Sequence, residues 1–444
     1  MKKTTKFVAL LMAMILAMGS MTACGSKDEG KTSGDSGNTT SENSGTSDTP
    51  VDVELTVWAP QEEQVDYTDV DPKYTSENGG LLGYMCDQFN EAHPEWNITF
   101  KYEVCSEADA KDNVTKDAAA AGDVFMYSGD QLASLVKAGV LLQLAGLDDV
   151  VANNGEKAMA AATVGDATYG IPFTPNTWFM YYDSSKYSEE EVKSLDTMMA
   201  KDLDGCKYNF AMDIDNGWYN GGFFYAAGCT TNFDDDKNVA ECDFNSANGL
   251  AAANVMLDLT NNKKFLVDDD NNVALAEAEK GNCAAFTSGT WNAAKAKEAY
   301  GDNFAATKLP EITIDGKSVQ LNSIGDYKYI GVNANTDNAA AAQALAIWLG
   351  SEQCQLDRFL ARGISPTWAS LAENADVAAD AATSALAAQN QFTAVTPLSD
   401  KFNNNYWNAM AALGAGMING EITADNLQDQ LDKVVENIVT DIAK

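Results

Sequence analysis

A chain of 444 residues, with 65 acidic against 29 basic side chains and a formal charge of −36, is long enough for two domains, since single cores stop growing near about 250–300 residues. That charge, with Arg358 and Arg362 as the only arginines, excludes nucleic acid as a partner and leaves no guanidinium cluster for an anionic polymer. His93 is the sole histidine, so His-based triads and zincin motifs are excluded, and neither a metal nor a cofactor is expected.

Residues 1–23 carry Lys2, Lys3 and Lys6, then an apolar run over 7–18 too short to span a membrane, then small residues, the pattern of a secretory signal. Met21-Thr22-Ala23-Cys24 resembles the bacterial lipobox, which implies that Cys24 takes a lipid and becomes the mature N-terminus; a plain signal cut near Ala23 is the alternative. Between Cys24 and Pro50 the residues are Gly, Ser, Thr, Asp, Asn, Glu and Lys, without a large apolar side chain until Val51, a composition that predicts a disordered tether over 24–50.

Residues 53–58 alternate and end at Ala59-Pro60, predicting a strand that delivers Trp58 to a loop. A helix over 81–92, a strand over 98–104, an alanine-rich helix over 109–121 and a strand over 123–127 follow, and this alternation predicts a parallel sheet. Gly129-Asp130 opens a further helix that Gly139 stops. Gly165-Asp166 reads as a hairpin turn, and Gly170, Pro172 and Pro175 then force the chain out of the sheet or along its edge. A buried strand over 177–182 follows at once, so the chain is predicted to cross here into a second domain.

That domain opens with a helix over 189–200, a strand over 208–214 and a helix from Trp218. Further helices span 245–261 and 274–280. The acidic loop 268–272 has carboxylates at alternate positions, but it lacks the glycine and the bidentate glutamate of a calcium loop and reads as solvated. A strand runs into a helix over 281–291, and Asp315-Gly316 predicts a hairpin within 312–321. Residues 327–333 read as the return crossing, helices span 337–350 and 351–361, and an amphipathic helix over 423–443 closes the chain. Beyond Cys24, cysteines 86, 105, 206, 229, 242, 283 and 354 show no metal spacing and read as small buried hydrophobes. A single pair among Cys206, Cys229 and Cys242 is the alternative.

The crossover Thr168-Tyr-Gly-Ile-Pro172, followed by an aromatic strand ending in Tyr182-Asp183, resembles that of the extracellular solute-binding proteins typified by the maltose-binding protein. Residues 122–144, 218–228, 281–291 and 404–420 resemble the same family in the same order. The resemblance implies an α/β, periplasmic-binding-protein-like fold, two lobes joined by a multi-strand hinge with a ligand cleft between them. The N-terminal lobe would comprise 51–173 and 328–392, the C-terminal lobe 174–327 and 393–444, and the crossings would fall near 173–176, 324–327 and 392–397.

It further implies a lipid-anchored monomer on the extracellular face of a Gram-positive type membrane, delivering an oligosaccharide to the permease subunits of an ABC transporter. By position, the ligand-contacting residues would be Tyr127, Asp130, Tyr219, Trp291 and Trp407. Trp58 and Trp218 join them because they stand at a strand end and a helix start, the edges that line clefts in α/β sheets. An indole or phenol stacks on a sugar face while carboxylates and amides satisfy its hydroxyls. For Trp58, Trp218, Trp291 and Trp407 a place in the core is the competing reading; Trp96, Trp178 and Trp348 are assigned to packing. Asn176 is the eighth expected contact, standing where the maltose-binding protein has a sugar-binding glutamate, and Gln131 and Ala411 replace its arginines. An α-glucan is the first expectation for the ligand. A glycosidase with an acid pair in the cleft, or the same scaffold binding a peptide or polyamine, are the alternatives.

Overall fold

The computed structural model describes residues 49–440 other than 236, 270 and 271; the expected signal, lipobox and nearly all of the tether, with the last residues of the closing helix, lie outside them. Two sheets organise the fold. In the first, the strands run in the order Thr393–Val395, Ser323–Val332, Val124–Ser128, Val51–Ala59, Trp96–Val104, with Ile171–Asn176 also paired to Ser323–Val332. The pairs made by Val51–Ala59 are parallel, as the strand and helix alternation predicts. Leu55, Val57, Leu81, Met85, Phe89 and Leu345 form the core beneath it. The second sheet runs Phe265–Val267, Phe210–Met212, Ala285–Ser288, Phe179–Asp183, Phe304–Thr307, over a core that includes Trp178, Met180, Phe223, Phe224 and Tyr406.

Three strands of the first sheet lie near the expected crossings, and strand 323–332 pairs with each of the other two. Strand 323–332 pairs Asp326 with Asn176 on one side and Ser323 with Thr393 on the other. Thr177 Oγ1 lies 2.8 Å from Ser323 Oγ, which in turn lies 2.8 Å from Thr393 Oγ1. A Cβ on Gly325 would overlap Thr393 and Thr177, so glycine lets the three strands approach here.

Several elements are shorter than expected. The alanine-rich helix spans only Ala110–Lys116, because Asn333 Nδ2 donates to the carbonyls of Ala118 and Gly122 and holds the chain in a turn. The helix expected over 189–200 is broken at Ser194, whose hydroxyl accepts from Thr197 N–H and starts Leu195–Ala200 afresh. Helix Ala381–Gln389 buries Ala382, Ala385 and Leu386 against Phe179 and Tyr181 of the second sheet, whereas the boundary at 392 assigned it to the first lobe.

The two arginines stand one turn apart on helix Glu352–Arg362. Arg358 Nε donates to both Glu63 oxygens, at 3.1 and 2.9 Å, and Arg362 pairs with the same carboxylate. Burial pushes the Glu63 carboxyl up, but the two guanidinium groups outweigh it and hold the group below its usual range.

Candidate functional site

Between the two sheets lies a cavity of about 480 Å³, within the range of about 300–1,000 Å³ usual for ligand clefts. Its aromatic lining is Trp218, Tyr219, Trp291 and Trp407, and Asp130 and Asn176 face them. Of the eight expected ligand-contacting residues, the structure therefore brings six together.

The sequence places each of these locally. Asn216 caps helix Gly217–Ala226 by accepting the Trp218 N–H at 3.0 Å, and this presents Trp218 and Tyr219 from a helix start. Trp407 lies in the second turn of helix Asp400–Ile418, its ring centroid 5.9 Å from that of Trp218, and is braced by Phe402 and Tyr406. Trp291 follows strand 285–288 and overlies Gly289, where any Cβ would collide with the indole. The Lys328 ammonium sits 5.7 Å from the Trp291 ring centre, within cation–π range.

Tyr127 is not at the surface of this cavity. It is fully buried, its hydroxyl reaching the Tyr169 carbonyl at 3.4 Å and its ring enclosed with Tyr329, Phe125 and Leu141. The neighbouring Ser128 lines the cavity instead. Consecutive strand residues point to opposite faces, so the aromatic expected as a ligand contact belongs to the core. Trp58 is also absent from the lining. Its indole donates to Glu103 on the adjacent strand at 2.8 Å and packs over Gly122. Trp178, expected in packing, is fully buried, with its N–H on the Trp218 carbonyl at 3.1 Å.

Asp130 and Asn176 meet at Asp326, a residue absent from the expected set. Asp326 accepts from the Asp130 N–H at 2.8 Å and from Asn176 Nδ2 at 2.7 Å, while Asp130 Oδ2 accepts from Asn403 Nδ2 at 2.9 Å. Burial drives the Asp130 carboxyl up to about 6, with Asn403 and Lys111 acting the other way. Burial first, and the Asp130 charge second, also raise Asp326. Gln131 lines the cavity but is committed to structure, donating to the carbonyls of Glu107 and Ala108.

Sequence reading missed other lining residues. Asp268 and Asp269, read as part of a solvated loop, face the cavity, as do Glu62, Glu107, Asp213 and Arg362. Asp268 also accepts the Ala274 N–H at 2.8 Å. Among the described residues the lining thus carries six carboxylates against two cations, a balance that repels anionic ligands. Thr287 lines it too, with a buried hydroxyl that has no hydrogen-bond partner among the described residues, a polar group suited to a ligand hydroxyl. No group of three or more His, Cys, Asp and Glu among the described residues is arranged to hold a metal ion.

Residues 84–388 match the family model of the bacterial extracellular solute-binding proteins. A galactooligosaccharide-binding protein of Bacillus subtilis (strain 168) is 26% identical over 306 residues, covering 66% of this chain and 71% of that one. Among solved structures, one determined with acarbose is 37% identical with a TM-score of 0.79, covering 87% of this chain and 98% of the other. A maltodextrin-binding protein from L. casei BL23, solved without ligand, is 26% identical with a TM-score of 0.73, covering 87% and 99%.

Proposed function

Taking as premise that this chain belongs to the bacterial extracellular solute-binding protein family, we propose that it captures an α-linked glucan oligosaccharide in the cleft and hands it to the permease subunits of an ABC transporter. The carrying observation is the arrangement of Trp218, Tyr219, Trp291 and Trp407 with Asp130 and Asn176 around one cavity. Apolar sugar faces stack on such rings, and the carboxylates and amides take the hydroxyl edges. The relatives are binding proteins, so capture rather than bond cleavage is the task. The structure solved with acarbose and the maltodextrin-binding protein support an α-glucan; the galactooligosaccharide-binding relative supports a galactooligosaccharide as the second reading.

In this proposal the lobes close on the sugar about the three paired strands, and a monomer held by a lipid on Cys24, with 24–50 as tether, works at the outer face of the membrane. Calorimetry with maltotriose, a β-galactotriose and spermidine tests it. Binding of maltotriose ahead of the other two is expected, with the sugar recovered intact. Preference for the galactotriose would replace the α-glucan, and binding of spermidine alone would remove the sugar reading.

A further inference from the structure

One buried carboxylate stands just behind the cavity wall. Asp326 is 7% exposed and outside the lining, yet each of its oxygens is bonded to a residue that faces the aromatic rings. One accepts the Asp130 N–H at 2.8 Å and the other accepts Asn176 Nδ2 at 2.7 Å. Two features of the chain bring the three together. Asp326 is opposite Asn176 in the antiparallel pairing of strand 323–332 with strand 171–176, which makes amide and carboxylate cross-strand neighbours. Gly129 stands just before Asp130, and a Cβ there would come within 2.9 Å of the Tyr327 carbonyl and 3.3 Å of Asp326 Cβ, so glycine lets the Asp130 turn lie against the strand.

The arrangement continues into the second lobe. Asp130 Oδ2 accepts from Asn403 Nδ2 at 2.9 Å, and Asn403 Oδ1 accepts from Lys111 Nζ at 3.4 Å, so helix 400–418 meets Asp130 in the orientation that Asp326 sets. The charged groups facing the two carboxyls are Lys328 from the same strand, itself paired with Glu107 at 3.1 Å, and Lys111 from helix 110–116. The phenols of Tyr327 and Tyr329 flank Asp326 and feel its charge, Asp400 and Lys137 pair with each other, and strand 171–176 brings no ionisable side chain.

We propose that Asp326 is a positioning residue of the cleft: it touches no sugar, and it holds the Asp130 turn and the Asn176 amide at the spacing that a ligand's hydroxyl edge requires. The inference rests on the oligosaccharide reading above and adds to it a dependence of capture on a buried side chain outside the contact set. Two neighbouring buried carboxyls resist ionising together. Burial first, and the Asp130 charge second, keep Asp326 protonated well above the usual carboxylate range. Loss of that proton as the pH rises sets two like charges against one another and disturbs the arrangement.

Calorimetry with maltotriose tests the role. Asp326→Ala leaves the Asp130 N–H and the Asn176 amide without their acceptor and should weaken binding by about tenfold or more; Asp326→Asn keeps one acceptor and should lose less. Where Asp130→Ala and Asn176→Ala are already present, adding Asp326→Ala should change the affinity little, because the side chains it places are gone. Wild-type affinity should fall on the alkaline side of a profile run from about pH 5 to about pH 9, whereas Asp326→Asn, with no second carboxyl to ionise, should stay flat there. An equal loss from Asp326→Ala in both backgrounds, or the same alkaline behaviour in the wild type and Asp326→Asn, overturns the positioning role while leaving the main site in place. A wild type that does not bind maltotriose overturns the α-glucan reading and removes this role with it. Melting temperatures show whether each variant is folded; should Asp326→Ala fail to fold, the Asp326→Asn profile decides.

Discussion

Removing the Asp400 carboxylate would loosen a clasp between the two lobes without touching the sugar cavity. At the start of helix 400–418 in the second lobe, Asp400 accepts from Ser134 Oγ at 2.7 Å and pairs with Lys137, both on helix Leu132–Lys137 of the first. None of the three lines the cavity. The carboxylate is 18% exposed and Lys137 is 71% exposed. The hydrogen bond to a charged acceptor contributes about 1.5–3 kcal/mol, and the ion pair, largely screened, adds no more than about 1 kcal/mol. A central figure of about 2 kcal/mol corresponds to roughly thirtyfold in an equilibrium constant. If the sugar-free protein is mostly open and the clasp forms on closure, Asp400→Ala should therefore weaken maltotriose binding by up to that factor and reduce the compaction seen by small-angle scattering. Asp400→Asn keeps an acceptor for Ser134 and should lose less. Loss of a charge from the first helical turn also costs about 0.3–1 kcal/mol of stability, which urea unfolding reports separately. Unchanged affinity together with unchanged compaction would refute the clasp.

Trp407→Ala should weaken sugar binding by about 1–3 kcal/mol, while Tyr127→Ala should instead cost about 3–5 kcal/mol of stability as a buried aromatic; calorimetry beside urea unfolding of both variants checks the contrast. Stability should also depend on Asp130. Its carboxyl is raised from about 3.9 in the unfolded chain to about 6 in the fold, so the fold binds the extra proton between those values. This contribution is complete below pH about 4 and is lost as the pH rises through 6. Asp130→Asn, which cannot ionise, should flatten the fall in unfolding free energy over that window, and an unchanged slope would disprove the shift.

Local pattern made the architecture legible because the relevant signals are short in range. Asp315-Gly316 turns with φ of 49° and 74°, as its hairpin reading required, and the prolines at 172 and 175 lie on the strand that leaves the first lobe. Trp218 was placed by its helix start and Trp407 by the family-like segment 404–420, and both face the cavity. Tyr127 was misplaced by one residue of strand alternation, where Ser128 faces the cavity. Arg362 and Asp268 reach the cavity from elements far from its aromatics in sequence, and no local periodicity reports such a meeting. Asp326 was hidden for a different reason. It sits within a strand, where its burial depends on the two strands that pair beside it.

The hydroxyls of Thr177, Ser323 and Thr393 that join the crossing strands give the joint a mechanical property. An interdigitated apolar seam resists rotation, because side chains locked in neighbouring gaps must climb out before they slide. A hydroxyl proton swings about its C–O bond at little energetic expense, so each contact re-aims as the strands twist. The connection is thus compliant in torsion while its strand pairing keeps it stiff against separation, which are the attributes of a flexure bearing.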